Sequence, residues 1–265
     1  MRGEARPQRT PKVQISKEDN NPVDQQTKAA LKQDNFIEAT GTSIHWASEN
    51  RRSVITTSVV LLAVILIAVA SVTIYNRRSE AAATDFGAAM QAYQTPLAAP
   101  GQQVPPGTKT YSSVNERAKA ANDLFNHVAD TYSMTPSGKL AKYFSGLTYM
   151  EEGQNKSAED TLKSVAGGWN KDLAGLAKLS LAELYHQTGR DQLAIDTYNE
   201  LAAKPTTTVP AGTAQLQIAA LYESQNKPAE ARKIYAQLSD KDAKGAAGVI
   251  AKQKLNPGAA SQVQQ

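Results

Sequence analysis

The sequence predicts an all-α protein in which a single N-terminal transmembrane helix precedes a solenoid of about four helical hairpins and a capping helix. One apolar run, 54–75, contains no charged residue and is long enough to cross a membrane. Downstream, a pattern of one small and two larger side chains recurs at intervals of 36 or 37 residues. Gly or Asn stands between the halves of the later repeats, where it can end a helix. Repetition of this kind indicates stacked helical hairpins.

The chain before the apolar run divides into two parts. Residues 1–22 are polar and rich in proline, so they bury too little apolar surface to offset the entropy of ordering, and we predict a disordered tail. Residues 23–53 contain scattered large apolar side chains and indicate a juxtamembrane amphipathic segment. This segment lies on the inner leaflet or on a membrane partner, or it is a loosely ordered lead-in; the sequence leaves both open.

Residues 54–75 are predicted to span the membrane. At ~1.5 Å per helical residue the run covers about 33 Å, which exceeds the ~30 Å hydrocarbon core. Arginine pairs at 51–52 and 77–78 can reach headgroups on either side, and Tyr75 suits the interfacial belt. A signal peptide explains the run less well, because its apolar core is shorter and lies close to the N-terminus.

Basic residues are distributed unequally around the apolar run. Lys28 and Lys32 precede it, whereas residues 79–108 contain no Lys or Arg. The positive-inside rule therefore favours a cytoplasmic N-terminus and an exported C-terminal domain.

The C-terminal part carries the internal repeat. Each unit has a tyrosine near the end of its first helix, a flexible turn residue, a small residue in the second helix and then larger apolar residues. The repeat-defining residues are Tyr149, Gly153, Ala158, Tyr185, Gly189, Ala194, Tyr198, Tyr222, Ala231 and Tyr235. Gly153 and Gly189, with Asn226 at the next equivalent position, favour a left-handed turn. The alanines allow the two helices of a hairpin to approach closely.

The first hairpin departs from this pattern. Its first helix, from about residue 80, continues from the apolar run, and its second helix carries the small–large–large pattern at Ala121, Phe125 and Val128. Between them, residues 97–112 are rich in Pro and Gly and are predicted to form a surface loop.

The predicted repeat domain, 79–255, ends in a capping helix at 244–255. This helix is expected to be amphipathic through Val249, Ile250 and Leu255 and to shield the last hairpin. Residues 256–265 are predicted to be a disordered tail.

The hairpin sequences resemble the tetratricopeptide repeat (TPR), as in GLTYMEEGQNKSAEDTLKSV (146–165) and AELYHQTGRDQLAIDTYNEL (182–201). The intervals of 36 and 37 residues exceed the ~34 usual for that repeat and imply longer loops between hairpins. The resemblance implies a solenoid whose first helices line a concave groove for protein partners.

Three segments are also similar to one bacterial inner-membrane family, the ancillary SecYEG translocon subunits of the YfgM type. They are HWASENRRS (45–53), DFGAAMQAY (85–93) and AKPTTTVPAGTAQLQIAALY (203–222). This resemblance implies a periplasmic repeat domain that associates with the Sec translocon and with a membrane-anchored chaperone of peptidyl-prolyl isomerase fold. It implies a role in handing exported client proteins onward. The extension before residue 31 and the Pro/Gly insertion depart from the family pattern.

Candidate peptide-groove residues follow from positions on the first helices of the repeats. They are Tyr143, Leu147, Met150, Leu179, Glu183, His186, Leu216, Ala220 and Glu223. The set is apolar with a few acidic groups and lacks the Lys/Asn set that clamps a carboxylate terminus in some TPR proteins. A hydrophobic helix or an extended peptide is therefore the expected ligand. The alternative is that most of the apolar members only pack against adjacent helices.

Composition argues against several other functions. The formal net charge is only +4, and no basic run is interleaved with aromatics, so no nucleic acid is expected. The absence of cysteine excludes a disulfide, a thiolate metal site and a cysteine nucleophile. The histidines fall in different segments, and no phosphate loop or nucleophile elbow occurs, so we expect no enzyme and no cofactor.

Two functions remain. The first is a membrane-anchored scaffold at the export machinery, and the alternative is a self-associating structural scaffold of the cell envelope. The sequence does not determine the oligomeric state.

Overall fold

The computed structural model describes residues 49–98, 107 and 109–257. The predicted tail 1–22 lies outside these residues, as do most of the juxtamembrane segment, the interior of the Pro/Gly-rich loop and most of the C-terminal tail. The chain divides into two compact units, 1–70 and 71–265. In the described part of the chain, the regular secondary structure is helical, which confirms the predicted all-α class.

Helix α1, Arg51–Gln94, contains the apolar run and continues into the repeat domain. It contains neither proline nor any other strong break in its 44 residues. The large apolar side chains of the run are exposed, as in Leu62 and Leu66. By length and composition, α1 is one candidate membrane-spanning helix, which fits the predicted single transmembrane helix.

The following helices form the repeat domain. They are α2 (Val114–Thr131), α3 (Pro136–Glu151), α4 (Asn155–Ala166), α5 (Lys171–Gln187), α6 (Asp191–Ala203), α7 (Ala211–Ser224), α8 (Pro228–Lys241) and α9 (Ala246–Leu255). From α2 onward, each helix packs mainly on its neighbours in sequence, with further contacts between α3 and α5 and between α7 and α9. This arrangement confirms the predicted solenoid of hairpins. The C-terminal part of α1 contacts α2 through side chains, as in the packing of Phe86 and Tyr93 against Phe125.

Local sequence explains where several helices begin. The side chains of Ser113, Thr135 and Asn170 accept hydrogen bonds from backbone N–H groups in the first turns of α2, α3 and α5. These bonds satisfy amides that have no partner inside the helix. Pro136 and Pro228 occupy the first turns of α3 and α8, where the missing N–H costs nothing.

The turn inside each later hairpin has one geometry. Gly153, Gly189 and Asn226 have φ of +74°, +73° and +55°, which confirms the predicted left-handed conformation. In all three turns the residue after the left-handed one donates its N–H to the repeat tyrosine carbonyl. These bonds join Gln154 to Tyr149 (2.9 Å), Arg190 to Tyr185 (2.7 Å) and Lys227 to Tyr222 (2.9 Å). This 6→1 bond is the one that closes a Schellman C-cap.

We expect Gly189→Ala to lower the free energy of unfolding by about 1–2 kcal/mol, because alanine is strained at a left-handed φ. In the described part of the chain, no atom beyond the two neighbouring residues lies within 4 Å of the position where the new Cβ would stand, so the cost is conformational rather than steric. Urea denaturation of the full chain in mild detergent, followed by circular dichroism, measures it.

Asn226→Gly is the matched control, since it removes a Cβ from a residue in the left-handed conformation, whereas Gly189→Ala adds one. It is expected to leave the unfolding midpoint unchanged or to raise it. A Gly189→Ala midpoint equal to that of the unsubstituted chain would contradict the account of this turn.

Apolar side chains form three clusters along the repeat domain. The first lies between α1, α2 and α3 around Phe125, the second runs from α4 to α7 around Leu181 and Tyr198, and the third joins α7, α8 and α9 around Tyr235. The repeat alanines 158, 194 and 231 are all buried, as expected for the position where the helices of a hairpin approach.

The prediction for the capping helix is partly wrong. Helix α9 begins at Ala246, and its buried face is Ala247, Gly248 and Ala251. Val249 and Ile250, which the sequence predicts to face the last hairpin, are 56% and 43% exposed. The reason is close approach: a side chain at position 248 would collide with the backbone carbonyl of Asp242, so only small residues fit this face.

The ends of the Pro/Gly-rich loop are paired, which the sequence did not indicate. Leu97 and Tyr111 form an isolated parallel bridge, in which Ala98 N–H donates to Tyr111 O (2.8 Å) and Tyr111 N–H donates to Pro96 O (3.2 Å). The Tyr111 side chain is buried. The stem of the loop is therefore part of the folded first hairpin.

Candidate functional site

The candidate groove residues lie on α3, α5 and α7, the first helices of the second, third and fourth hairpins. All are half-buried except Ala220 and Glu223, which are exposed. Tyr143, Met150 and Leu179 pack against the central cluster, and Leu216 packs against the C-terminal one. These four side chains therefore contribute to packing while part of their surface faces outward.

Leu147 has a different environment from these four. It is half-exposed, and in the described residues it is not among the side chains that pack against any of the three clusters. Among the large apolar candidates it is therefore the one whose replacement is expected to disturb these clusters least.

The polar members of the set are held by neighbouring side chains. His186 Nδ1 lies 2.7 Å from Asp191 Oδ1, and Asp191 Oδ2 accepts a hydrogen bond from Gln225 Nε2 at 2.7 Å. The bond to His186 lowers the pKa of the Asp191 carboxyl, and the bond from Gln225 lowers it further. This chain of bonds connects the turn of the third hairpin to the turn of the fourth.

The two acidic candidates also have partners. Glu183 accepts a hydrogen bond from Gln187 Nε2 at 3.0 Å, and Glu223 pairs with Lys254 of α9 at 3.0 Å. Glu223 therefore contacts the capping helix, so a ligand that used this carboxylate would compete with Lys254.

A polar cluster that the sequence did not predict extends the site to the first hairpin. Tyr93 donates its hydroxyl proton to Glu151 Oε1 at 2.6 Å, and Arg117 lies 3.5 Å from Glu151 Oε2. Arg117 also stacks over the Tyr93 ring at 5.5 Å. Burial, and then the hydrogen bond to Glu151, raises the pKa of Tyr93 to about 12, so the phenol stays protonated as a donor.

Phe144 connects this cluster to the candidate groove. Its ring lies 6.0 Å from that of Tyr93 and 5.5 Å from that of Tyr143. Tyr93 and Arg117 are separated from Glu151 by 58 and 34 residues, so only the folded chain brings them together. The repeat pattern gives no signal for them, since none of them recurs at the repeat interval.

A charged clamp joins the second hairpin to the third. The Glu159 carboxylate on α4 forms ion pairs with Lys163 Nζ at 2.6 Å and with Arg190 Nη1 at 2.7 Å. The Arg190 guanidinium also stacks over the Tyr185 ring at 4.6 Å. The hydrogen bond from Lys163 and then that from Arg190 lower the pKa of Glu159, although partial burial opposes them. The clamp places Arg190, the residue after the left-handed Gly189, across the boundary between two repeats.

We expect Glu159→Gln to destabilise the chain by about 1 kcal/mol at neutral pH, because it removes the charge that holds Lys163 and Arg190. The folded pKa of Glu159 is lowered, so its contribution is present above the unfolded pKa and is lost as pH falls through the folded pKa. The difference from the unsubstituted chain should therefore shrink in acid, as urea denaturation across pH would show.

Asp160→Asn is the control for the Glu159 substitution. Asp160 is exposed, and its ion-pair partner in the described part of the chain is Lys156, one turn away, so a smaller effect is expected. A Glu159→Gln deficit that stays constant with pH would contradict the proposed origin of the stabilisation.

Comparisons with known proteins find similar solved structures. Two crystal structures, both described as nearly identical TPR-like repeats of a Podosopora anserina kinesin light chain, are similar to this chain at 18% and 16% identity. Each match covers 69% of this chain, and it covers 86% and 87% of the two matched chains. The TM-scores are 0.47 and 0.46. A search of curated proteins finds no match.

The family comparison covers most of the sequence. The profile of the tetratricopeptide repeat-like domain matches residues 45–257, a range that includes the apolar run and all of the described hairpins. The match agrees with the left-handed turns and the buried alanines of the hairpins. The chain belongs to the tetratricopeptide repeat-like domain family.

Proposed function

We propose that this protein is a membrane-anchored TPR scaffold that binds other proteins beside the bilayer. The observation that carries the proposal is helix α1, whose exposed apolar run continues without a break into the first helix of the repeat domain. An apolar run of this length with exposed large side chains favours insertion into a bilayer, and the TPR-like hairpins that follow it in the chain favour protein partners.

We further propose that the membrane is the bacterial inner membrane, with the N-terminus in the cytoplasm and the repeats in the periplasm. The excess of basic residues before the apolar run supports this orientation. The resemblance of segments 45–53, 85–93 and 203–222 to ancillary translocon subunits supports the Sec translocon and a periplasmic peptidyl-prolyl isomerase chaperone as partners. The role would be handover of exported proteins.

The proposed binding surface is the line of candidate groove residues on α3, α5 and α7. Apolar side chains with partly exposed surface, such as Tyr143, Leu147 and Met150, suit a hydrophobic helix or an extended segment of the partner. Glu183 and Glu223 would add a few polar contacts at the C-terminal end. The aromatic and polar cluster around Tyr93 would extend this surface onto the first hairpin.

Co-purification of the full chain from detergent-solubilised inner membranes tests both parts of the proposal. The unsubstituted protein is expected to recover translocon and chaperone subunits, and Leu147→Glu is expected to lose one or both. Leu193→Glu is the matched control, since Leu193 is an exposed leucine on a second helix, α6, outside the proposed surface. Equal recovery by both variants would contradict the assignment of the groove.

The alternative structural scaffold predicts a different result from the same extracts. It predicts stable homo-oligomers of the chain and no translocon or chaperone subunit. A topology reporter fused after Gln265 tests the orientation separately, because it should be active only if the C-terminus is exported.

A further inference from the structure

We propose that one edge of the repeat domain lies on the lipid headgroups of the same membrane, through Met134, Trp169 and the lysines between them. We call this surface the turn edge; it consists of the turns between hairpins at 132–135 and 167–170 with the first turns of α3. The inference rests on the membrane anchoring in the proposed function and adds a second point of contact to it.

The first of these turns lies beside the end of the apolar run. Arg78 Nη2 donates a hydrogen bond to Thr131 O at 2.7 Å, and Tyr132 OH donates to Asp85 Oδ2 at 2.9 Å. One cavity is lined by Tyr75 and Arg78 together with the turn residues, including Met134. Tyr75 closes the apolar run, so Met134 lies near the depth at which interfacial aromatic residues are found.

The second turn continues the same surface. A cavity of about 480 Å³ reaches from Asp130 and Ser133, which also border the first cavity, to Gly168 and Trp169. The Trp169 side chain is fully exposed, and Met134 is 78% exposed. Large apolar side chains are seldom left in water at a turn tip, whereas an indole, with its apolar body and polar N–H, is favoured at a membrane interface.

The charge of the turn edge matches anionic headgroups. Lys139 and Lys142 line the cavity beside Trp169, and Asp130 is the acidic residue in its lining. Both lysines are exposed; Lys142 Nζ donates to Ser164 Oγ at 2.8 Å. Arg77 and Arg78 add positive charge where the chain enters the repeat domain. Basic residues beside interfacial tryptophan are the combination that binds an anionic lipid surface.

A lipid surface explains these features together better than a protein partner does. The exposed apolar residues are at the tips of turns rather than in the groove, and they follow the end of the apolar run along one edge. Contact there would hold this edge of the repeat domain at the membrane surface. A protein partner at Trp169 is the competing outcome of the test.

The test measures how close Trp169 lies to lipid in the full chain. The protein has two tryptophans, so Trp46→Phe leaves Trp169 as the only one. In vesicles of phosphatidylglycerol and brominated phosphatidylcholine, we expect Trp169 emission to be blue-shifted and mostly quenched. Lys139→Gln combined with Lys142→Gln is expected to reduce the quenching, because it removes the attraction to anionic headgroups.

The control moves the tryptophan to the other end of α4. The control variant combines Trp46→Phe, Trp169→Phe and Lys156→Trp. Its tryptophan stands at an exposed position in the first turn of that helix, and the tryptophan emission should remain unquenched. Vesicle flotation separates the possible failures. A chain that does not float with vesicles overturns the anchoring and this inference with it, whereas a chain that floats with unquenched Trp169 overturns only the turn-edge contact.

Discussion

Replacing Leu62 and Ile65 together with arginine is expected to release the full chain from membranes. Both side chains are exposed on α1 near the middle of the apolar run, and in the described residues neither belongs to a packed apolar cluster. Each arginine at the centre of a spanning helix costs about 3 kcal/mol of insertion free energy. Flotation with vesicles and extraction by alkaline carbonate measure the loss of insertion.

The control uses an equally exposed apolar pair outside the run. Val249→Arg with Ile250→Arg adds the same charges to α9 and is expected to leave the chain in the membrane fraction. If the Leu62 and Ile65 variant still resists carbonate, residues 54–75 do not hold the chain in the bilayer. The proposed membrane-anchored scaffold would then lose its main support.

The turns of the later hairpins could be predicted because each depends on a few neighbouring residues. A Gly or Asn at positions 153, 189 and 226 adopts the left-handed conformation, and the N–H that closes the cap comes from the next residue. The acceptor is the carbonyl of a tyrosine five residues before that donor. The conformation of such a turn is determined by residues close together in the sequence, so the repeat interval is enough to locate it.

The buried face of α9 could not be predicted in the same way. Apolar periodicity favoured Val249 and Ile250, but the helix approaches Asp242 so closely that Gly248 and its alanine neighbours fill the contact. Where two segments approach closely, only small side chains fit between them, and a pattern of hydrophobic residues does not indicate such a contact. The Tyr93 cluster was missed for another reason, since its members come together only through the pairing of distant helices.

The candidate groove illustrates a third limit. On α3 and α5, one side chain can serve the core and the outer surface at once, as Tyr143 and Leu179 do. Tyr143 packs against the central cluster and also bonds to Ser180 Oγ at 3.2 Å. An apolar residue on a first helix therefore satisfies both the packing and the binding interpretation, and its sequence position cannot separate them. The groove assignment stays a prediction for the Leu147 experiment.

Phe125→Ala is expected to destabilise the repeat domain by about 3–5 kcal/mol, more than either Gly189→Ala or Glu159→Gln. Phe125 is fully buried, and its ring stacks on Phe144 at 5.2 Å and contacts Phe86 at 5.7 Å and Tyr93 at 6.1 Å. These rings come from α1, α2 and α3, so truncation opens a cavity where three helices meet. Denaturant unfolding of the full chain in mild detergent measures the loss.

Leu124→Ala controls for the change in helix α2 itself, because Leu124 is the adjacent residue and is 40% exposed. Its cost should be below about 1 kcal/mol, since little buried apolar area is removed. Phe86 belongs to α1, so the cavity left by Phe125→Ala should increase the rate of amide hydrogen exchange in the first hairpin more than in the later hairpins. Equal unfolding midpoints for the two variants would mean that the aromatic cluster does not hold α1 to the repeats.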